Sequence, residues 1–346
     1  MFFLESMRIE ELDYFLPKDL IAQEPERQRA SARLLVLNRL DGSIRHRRFN
    51  DVTECLREGD LLVVNDTRVI PARLPARKAT GGRVDILLTE EVDRVRWNCL
   101  VTGVGRGFDE TRVWVGGAEV RLIRGKPFWT LETTERMDVE RLMSDFGVMP
   151  LPPYIKRKGS RRNCDDNERY QTVYARYPGS IAAPTAGLHF DEDLFGRIRM
   201  MGVDIVYITL HIGIGTFFLL KGENVEGHVM HREYYSMSDA SMEAVRLARQ
   251  RGHRVVAVGT SAVRTLETAF SGSNGGRPAG FTELYIYPGY RYRVVDGLIT
   301  NFHLPRSTPL VLVSAFAGTE ALMRAYREAV EQRYRFYSYG DAMFVS

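Results

Sequence analysis

Residues 203–216 read VDIVYITLHIGIGT, and this stretch decides the fold. Its first eight residues are mostly apolar and β-branched, the composition of a strand buried on both faces of a sheet. A helical pattern precedes the strand, with Asp191 as its cap and Gly202 as its stop. The unit then recurs, because Ser238 opens a second helix and residues 254–258 form the next apolar strand. This alternation predicts an α/β domain with a largely parallel sheet.

A different pattern occupies residues 72–134. Apolar residues take every second position from Val95 to Val101 and again from Ala118 to Leu122, and glycine-rich turns separate these short strands. A small antiparallel β-barrel is the expected result. The apolar strand at residues 61–64 belongs with the α/β pattern, so the barrel is an insertion. We therefore predict an α/β domain from residues 7–71 and 150–346 and an inserted β-barrel domain from residues 72–149.

Composition excludes several classes of protein. Charged residues make up 27% of the 346 residues and hydrophobic ones 44%, which excludes a disordered or fibrous chain. The net charge of +4 permits a polyanionic partner without requiring one. The longest apolar run, Leu310–Ala317, is far short of the ~20 residues that cross a bilayer. Residues 1–6 form a short extension, and Met7 is an alternative start.

The cysteines also indicate a compartment. Cys55, Cys99 and Cys164 stand tens of residues apart and form no C-x-x-C pair. This spacing predicts neither a zinc site nor a disulfide framework. We expect a cytoplasmic protein.

Polar and glycine-rich segments follow four of the predicted strands. Ligands of open α/β sheets bind beyond the carboxyl ends of the strands, so these segments predict one shared site. They are Asn65–Arg68, His211–Thr216, Gly259–Glu267 and Thr300–Thr308.

Each segment alone has more than one interpretation. Gly213 and Gly215 could begin a dinucleotide fingerprint, but Phe218 stands where that motif needs Gly or Ala. The turn could equally be a tight turn beside a structural histidine. His228 and His231 lie three apart, and such positions on a strand face opposite ways, so we predict no metal site.

The start of the helix after residue 258 is similarly open to two interpretations. Thr260 could help to bind an anion at the helix N-terminus, or it could only cap the helix. Arg264 and Glu267 are three apart and could form only a surface ion pair.

Basic and aromatic residues cluster locally. The segment Lys156–Arg162 carries five charges in seven positions, and Arg333–Tyr337 alternates arginines with aromatics. Arginine neutralises phosphate while tyrosine and phenylalanine stack on unpaired bases, so the combination suits RNA loops. A solvated loop is the alternative for the charged segment.

Seven segments together resemble one known family. They are 65–74 (NDTRVIPARL), 183–190 (APTAGLHF), 209–217 (TLHIGIGTF), 228–231 (HVMH), 258–260 (VGT), 300–308 (TNFHLPRST) and 334–343 (YRFYSYGDAM). In this order they resemble the S-adenosylmethionine:tRNA ribosyltransferase-isomerases of queuosine biosynthesis, from about Met7 to the carboxyl terminus. Two departures are Ala262, where a hydroxyl is lost, and Ala30, where the family has Asp. We expect no binding role at these two positions.

The resemblance implies an α/β catalytic domain with an inserted β-barrel. It also implies transfer and isomerisation of the ribosyl part of S-adenosylmethionine onto 7-aminomethyl-7-deazaguanine at the tRNA wobble position. The implied products are epoxyqueuosine, adenine and methionine. S-adenosylmethionine is then a consumed substrate, no other cofactor is expected, and the protein is expected to act as a monomer.

The implied reaction needs a base that removes a proton from the carbon beside the sulfonium and an acid that protonates the departing adenine. It also needs the amine nucleophile to be held in place. We predict His211 as the base because it follows a strand beside flexible glycine backbone. The other histidines of the family motifs, His189, His228, His231 and His303, are further candidates for proton transfer. Asp341 and Glu233 are alternative bases or amine-orienting carboxylates. The predicted substrate-binding residues are Asp66, Arg68, Thr185, Gly187, Gly213, Gly215, Thr216, Gly259, Thr260, Arg264, Asn301, His303, Ser307 and Thr308. The predicted tRNA-binding residues are Lys156, Arg157, Lys158, Arg161, Arg162 and Arg335.

Two readings from other classes stay open at this point. An oxidoreductase would need the complete dinucleotide fingerprint that Phe218 breaks. A non-catalytic RNA-binding module would explain the basic and aromatic clusters, but not the glycines and histidines that gather after four strands.

Overall fold

A computed structural model describes residues 6–105, 107–133, 137–157, 165–217, 219–272 and 276–346, with the backbone alone at 165, 216 and 217. The strands are β1 (Arg33–Leu37), β2 (Ile44–Arg48), β3 (Leu61–Asn65), β4 (Thr67–Val69), β5 (Arg73–Arg77), β6 (Arg83–Asp93), β7 (Arg96–Thr102), β8 (Glu110–Val115), β9 (Ala118–Ile123), β10 (Trp129–Glu132), β11 (Tyr177–Ser180), β12 (Asp204–Leu210), β13 (Glu233–Met237), β14 (Val255–Val258), β15 (Ala279–Thr282), β16 (Gly297–Asn301) and β17 (Ala342–Val345). The α-helices are α1 (Val139–Phe146), α2 (Asp165–Arg169), α3 (Glu192–Met200), α4 (Asp239–Gln250), α5 (Thr260–Ala269), α6 (Thr308–Ala317) and α7 (Thr319–Glu331).

Nine strands form one large sheet in the order β15-β13-β12-β3-β14-β16-β17-β1-β2. At its centre, β3 pairs in parallel with β12 and β14, and β14 pairs in parallel with β16. β17 is antiparallel to β16 and parallel to β1. Antiparallel strands complete the two edges, β13 and β15 on one side and β2 on the other.

The predicted α/β fold with an inserted barrel is confirmed. The sheet is more mixed than the expected largely parallel one, because only its buried centre has the continuous apolar pattern of parallel strands. The strand β13, which lies between β12 and the edge strand β15, instead alternates buried and more exposed residues, as an antiparallel strand with one open face does.

The sheet separates two hydrophobic cores. β3 is buried along its whole length, and its residues alternate between the faces. Leu61 and Val63 pack into the core that holds most of α4 to α7, whereas Leu62 and Val64 pack into the core beneath α3. Within the described ranges, no helix combines the length and the apolar character that crossing a membrane requires.

The inserted unit is a closed barrel with the strand order β10-β7-β6-β5-β8-β9. Its interior consists of the inward-facing apolar residues of the strands, and α1 contributes Val139 and Leu142 to the same core. The chain enters and leaves the barrel at one place, where the backbone N–H of Val148 donates to the carbonyl of Arg73 over 2.9 Å. The barrel strands and α1 lie inside the predicted range 72–149, while the exact domain boundaries stay a prediction.

The segment that leads from the end of α1 back to the large sheet allows one test of this junction. A Cβ atom at Gly147 would overlap the carbonyl oxygens of Pro71 and Met143, whereas a Cβ at Gly196 in α3 would meet open space. We expect Gly147→Ala to lower the free energy of unfolding by about 1–3 kcal/mol through overpacking. Gly196→Ala is the matched control, and it should raise stability by about 0.5–1 kcal/mol because alanine favours a helix interior. Urea unfolding followed by circular dichroism measures both, and equal midpoints for the two variants would contradict the close approach at the junction.

Candidate active site

The carboxyl ends of β12, β14 and β16 open into a cavity with about 1200 Å³ of empty space, part of it open to solvent. Leu210, Gly259 and Asn301 lie at these strand ends and line the cavity. Aromatic side chains form much of the remaining wall, among them Tyr154, Tyr285 and Tyr337. A concave, mainly apolar site with a few convergent polar groups is the usual form of a small-molecule site.

Many of the predicted residues line this one cavity, and they come from five separate segments of the chain. They are Thr185, Gly215, Glu233, Gly259, Thr260, Arg264, Asn301, His303, Ser307 and Thr308. Parallel strands that end at one edge of the sheet bring these distant segments together, as expected.

Other predicted substrate-binding residues do not belong to the lining. Asp66 is buried behind it, where its carboxylate accepts a hydrogen bond from Thr209 Oγ1 over 2.6 Å, and burial raises its pKa. Arg68 is exposed on β4, and Gly187 packs against the Tyr174 hydroxyl. The side chain of Thr216 lies outside the described residues.

The predicted base, His211, also lies outside the cavity lining. Its Nδ1 is 2.8 Å from Thr67 Oγ1, and its ring stacks on Tyr234 with a centroid separation of 5.9 Å. Burial lowers the pKa of His211, so the ring is neutral near pH 7. The side chain therefore turns towards β4 and β13.

Asp341 and His189 are committed to contacts within the protein. The two carboxylate oxygens of Asp341 accept the backbone N–H groups of Arg33 and Arg335 over 2.8 and 2.7 Å, which ties the carboxyl-terminal turn to β1. Burial lowers the pKa of His189 to about 3, with a smaller effect of Arg335 and Arg29, so its ring is neutral. Its Nε2 lies 3.3 Å from Asn301 Nδ2, which places His189 behind a residue of the cavity wall.

A buried ion pair joins four segments in and next to the cavity wall. The Arg264 guanidinium on α5 donates to Glu233 Oε2 on β13, and both side chains are almost fully buried. Glu233 Oε1 accepts the backbone N–H of Gly213 over 2.8 Å. Arg264 Nε donates to the carbonyl of Leu284 over 3.0 Å. Glu233 therefore holds the glycine turn after β12 against α5.

Two groups in the cavity suit a polar ligand. α5 begins at Thr260 without a side-chain cap, so the N–H groups of its first turn and the helix dipole favour an anion. Asn301 Nδ2 donates to the carbonyl of Tyr337 over 3.0 Å, whereas its buried Oδ1 receives no hydrogen bond from any described residue. That oxygen can accept from an N–H or O–H group of a ligand.

Three lining residues were not named as favoured site residues from the sequence, although His231 was one of the motif histidines considered for proton transfer. His231 lines the cavity beside Gly215, and its exposed ring lies 6.4 Å from Phe128 of the barrel. Tyr337 has a φ of 71°, an unfavourable conformation outside glycine, and its ring packs 4.7 Å from that of Tyr154. His231 and Tyr337 each lie in one of the seven family segments, and this was the only sequence feature that pointed to them. No sequence pattern pointed to Tyr154.

The predicted tRNA-binding residues include arginines that are already neutralised. Arg157 forms an ion pair with Asp166 at 2.6 Å, and Arg335 pairs with Glu26. Lys156 is exposed and anchored through its backbone to Gln23. Lys158, Arg161 and Arg162 lie outside the described residues.

The family model described as "Queuosine biosynthesis protein" matches residues 9–345. The chain belongs to this family. It is 47% identical to the S-adenosylmethionine:tRNA ribosyltransferase-isomerase of Caldanaerobacter subterraneus subsp. tengcongensis, over 98% of this chain and 100% of that protein. It is 48% identical to the protein of the same name from Symbiobacterium thermophilum, with the same coverage. The crystal structure of S-adenosylmethionine tRNA ribosyltransferase from Thermotoga maritima matches 97% of this chain and 100% of its own, with a TM-score of 0.57 and 37% identity.

The family predicted from the motifs is thereby confirmed, and with it the prediction that the protein is an enzyme. The sequence alone left two alternatives open, an oxidoreductase and a non-catalytic RNA-binding module. Membership of this family takes the place of both.

The Glu233–Arg264 pair can be tested with a double-mutant cycle. Glu233→Leu should lower the free energy of unfolding by about 3–5 kcal/mol, because it leaves a buried guanidinium without its carboxylate. Glu233→Leu combined with Arg264→Met should recover much of this loss, since the charge is then removed as well. Chemical unfolding of the native protein, both single variants and the double variant measures the coupling. Additive effects would show that the two groups do not stabilise each other.

Proposed function

We propose that this enzyme transfers the ribosyl part of S-adenosylmethionine to the aminomethyl group of 7-aminomethyl-7-deazaguanine at the tRNA wobble position and isomerises it to epoxyqueuosine. Adenine and methionine are the other products. The observation that carries the proposal is identity of 46–48% over 98% of the chain to three relatives named S-adenosylmethionine:tRNA ribosyltransferase-isomerase. The cavity supports it, because segments of the family motifs converge there.

S-adenosylmethionine fits the chemistry of the cavity. Its carboxylate would bind at the first turn of α5, near Gly259 and Thr260, where N–H groups and the helix dipole favour an anion. The Asn301 Oδ1 acceptor would take an N–H of the amino-acid or adenine part. The partly buried Tyr154 and Tyr285 of the wall would supply ring surfaces for the sulfonium, which aromatic rings attract. The ring of Phe302 is fully buried against Tyr326, Tyr334 and Phe336 and has no free face.

The reaction requires removal of a proton from the carbon beside the sulfonium. The sulfonium acidifies that carbon and methionine is a good leaving group, so we propose that no metal or further cofactor takes part. We also propose His231 as the base, ahead of the predicted His211, because His231 lines the cavity and is exposed, so its ring can reach a bound ligand. His303 also lines the cavity, but burial lowers its pKa to about 3, and its Nε2 is held 2.6 Å from Thr300 Oγ1.

Glu233 and Asp341 have positioning roles in this proposal. Glu233 holds the Gly213 turn and Arg264, and Asp341 holds the carboxyl-terminal turn next to Tyr337. The cytoplasmic location and the monomeric state stay predictions.

Adenine release tests the proposed function directly. The purified protein mixed with S-adenosylmethionine and tRNA that carries the aminomethyl base should release adenine and methionine, and the tRNA should gain the mass of the ribosyl group. Dialysis against EDTA should leave the rate unchanged. Omission of the tRNA, or tRNA with an unmodified guanine, is the control. The absence of adenine in the complete mixture would reject the function.

The base assignment has its own test. His231→Ala should lower kcat for adenine release by about 10²–10⁴-fold, the usual contribution of a general base, with the affinity for S-adenosylmethionine largely retained. His228→Ala, three residues away, is the matched control and should keep kcat within a few-fold. A kcat that falls for His211→Ala but not for His231→Ala would return the assignment to His211.

A further inference from the structure

A row of rings and arginines, most of them exposed, crosses the edge of the large sheet beside the cavity. We name it the aromatic strip, and it consists of Arg176, Tyr177, His211, Arg232, Tyr234 and Phe281. Tyr234 on β13 and Phe281 on β15 are cross-strand partners with ring centroids 5.7 Å apart. The Arg232 guanidinium lies 3.9 Å from the centroid of Phe281, and the His211 ring stacks on Tyr234 with 25° between the planes.

The strip continues onto the small parallel pair of β4 and β11. His211 Nδ1 contacts Thr67 on β4, and Thr67 is the register partner of Tyr177 on β11. Gly179 on the same strand lies so close that a Cβ there would sit 2.8 Å from the His211 ring. The Arg176 guanidinium lies 5.1 Å from the centroid of Tyr177. The rings and cations are therefore held in sequence across two sheets.

The rings of the strip are unusually open to solvent. Tyr234 is 39% exposed, Tyr177 46% and Phe281 55%. The helix α5 packs on the other face of β13, where Arg264 meets Glu233, and neighbouring residues of a strand face opposite ways. A contiguous group of exposed aromatic side chains marks an interaction site more often than a monomer surface.

The charge of the strip suits a polyanion. Arg176 and Arg232 are exposed, and no carboxylate of the described residues forms an ion pair with either of them. By contrast, Arg157 and Arg335 are each paired with a carboxylate. Phosphates would meet less competition at the strip than at those two residues.

The strip and the cavity share one segment of chain. His231 and Glu233 line the cavity, while Arg232 and Tyr234 belong to the strip. A ligand with one group in the cavity would therefore have its adjoining groups close to the strip.

We propose that the aromatic strip binds unpaired nucleotides of an RNA loop, with bases stacked on Tyr234, Phe281 and Tyr177 and phosphates at Arg176 and Arg232. The proposal rests on the proposed function, since the RNA is then the substrate tRNA and the bound nucleotides flank the reacting base. Unpaired bases can stack on protein rings, whereas the bases of a duplex are covered by their neighbours. His211 is a part of this binding surface in the proposal.

Binding of the fluorescent anticodon stem-loop of the substrate tRNA, followed by anisotropy, tests the strip. Stacking is worth ~1–3 kcal/mol per base, so Phe281→Ala and Tyr234→Ala should each raise the Kd by roughly 5- to 150-fold. Tyr234→Phe should keep the native Kd because it retains the ring. Phe108→Ala is the matched control, since Phe108 is also 55% exposed but lies in the loop between β7 and β8 of the barrel. The Kd for S-adenosylmethionine should not change in any of these variants.

Arg232→Ala supplies a second readout that does not depend on the rings. It should reduce the slope of log K against log salt concentration by about one, as loss of one phosphate contact does.

A blunt-ended RNA duplex of equal length is a control for base stacking. It should bind the native protein and the ring variants alike, because its bases are covered by their neighbours.

The outcomes separate the two proposals. Native protein that binds the stem-loop and releases adenine, while both alanine ring variants bind the stem-loop with the native Kd, overturns the strip alone. Native protein that neither binds the stem-loop nor releases adenine overturns the proposed function and the strip with it. An equal loss of affinity in Phe108→Ala would also overturn the strip, because the effect would not be specific to these rings.

Discussion

The shape of the cavity depends on the buried ion pair between Glu233 and Arg264. Removing two charges from water is costly, and the cost is offset only where every remaining donor and acceptor finds a partner. Here the Gly213 N–H donates to the second oxygen of the Glu233 carboxylate. The Leu284 carbonyl accepts a hydrogen bond from the Arg264 guanidinium. These partners come from the turn after β12, from β13, from α5 and from the segment after β15. The pair therefore fixes the relative positions of four segments that are far apart in the chain.

The strand β13 divides two environments because successive side chains point in opposite directions. Glu233 faces α5 and the cavity, and Tyr234 faces solvent and His211. A strand with one open face can thus carry buried supports of the cavity and an exposed surface at adjacent positions. This arrangement gives a physical reason why a motif segment can contain both charged and aromatic residues in alternation.

The fold could be predicted because its signals are local. Apolar strands alternate with capped helices around Asp191 and Ser238, whose side chains cap α3 and α4 in the structure. The barrel was predicted from period-two alternation, and the shared site from the convergence of parallel strand ends. The antiparallel edge of β13 and β15 was missed because strand direction depends on long-range pairing that a local pattern does not encode.

The direction of individual side chains was harder to predict for the same reason. His211 follows a strand at the expected edge, yet its hydrogen bond to Thr67, far earlier in the chain, turns it away from the cavity. Arg335 belongs to a basic cluster in the sequence, but Glu26 neutralises it from the opposite end of the chain. Such partners are invisible to a sequence window, so charge clusters overestimate the positive surface that is free to bind RNA.

The junction between Arg73 and Val148 has a consequence for the origin and folding of the chain. Reciprocal backbone hydrogen bonds join these two residues, so the ends of the inserted segment are already adjacent. To the large sheet, the whole barrel is topologically equivalent to a surface loop between two neighbouring points. The entropy of closing a loop grows only slowly with its length, so an ancestral short connection could acquire such a module without a change in strand order.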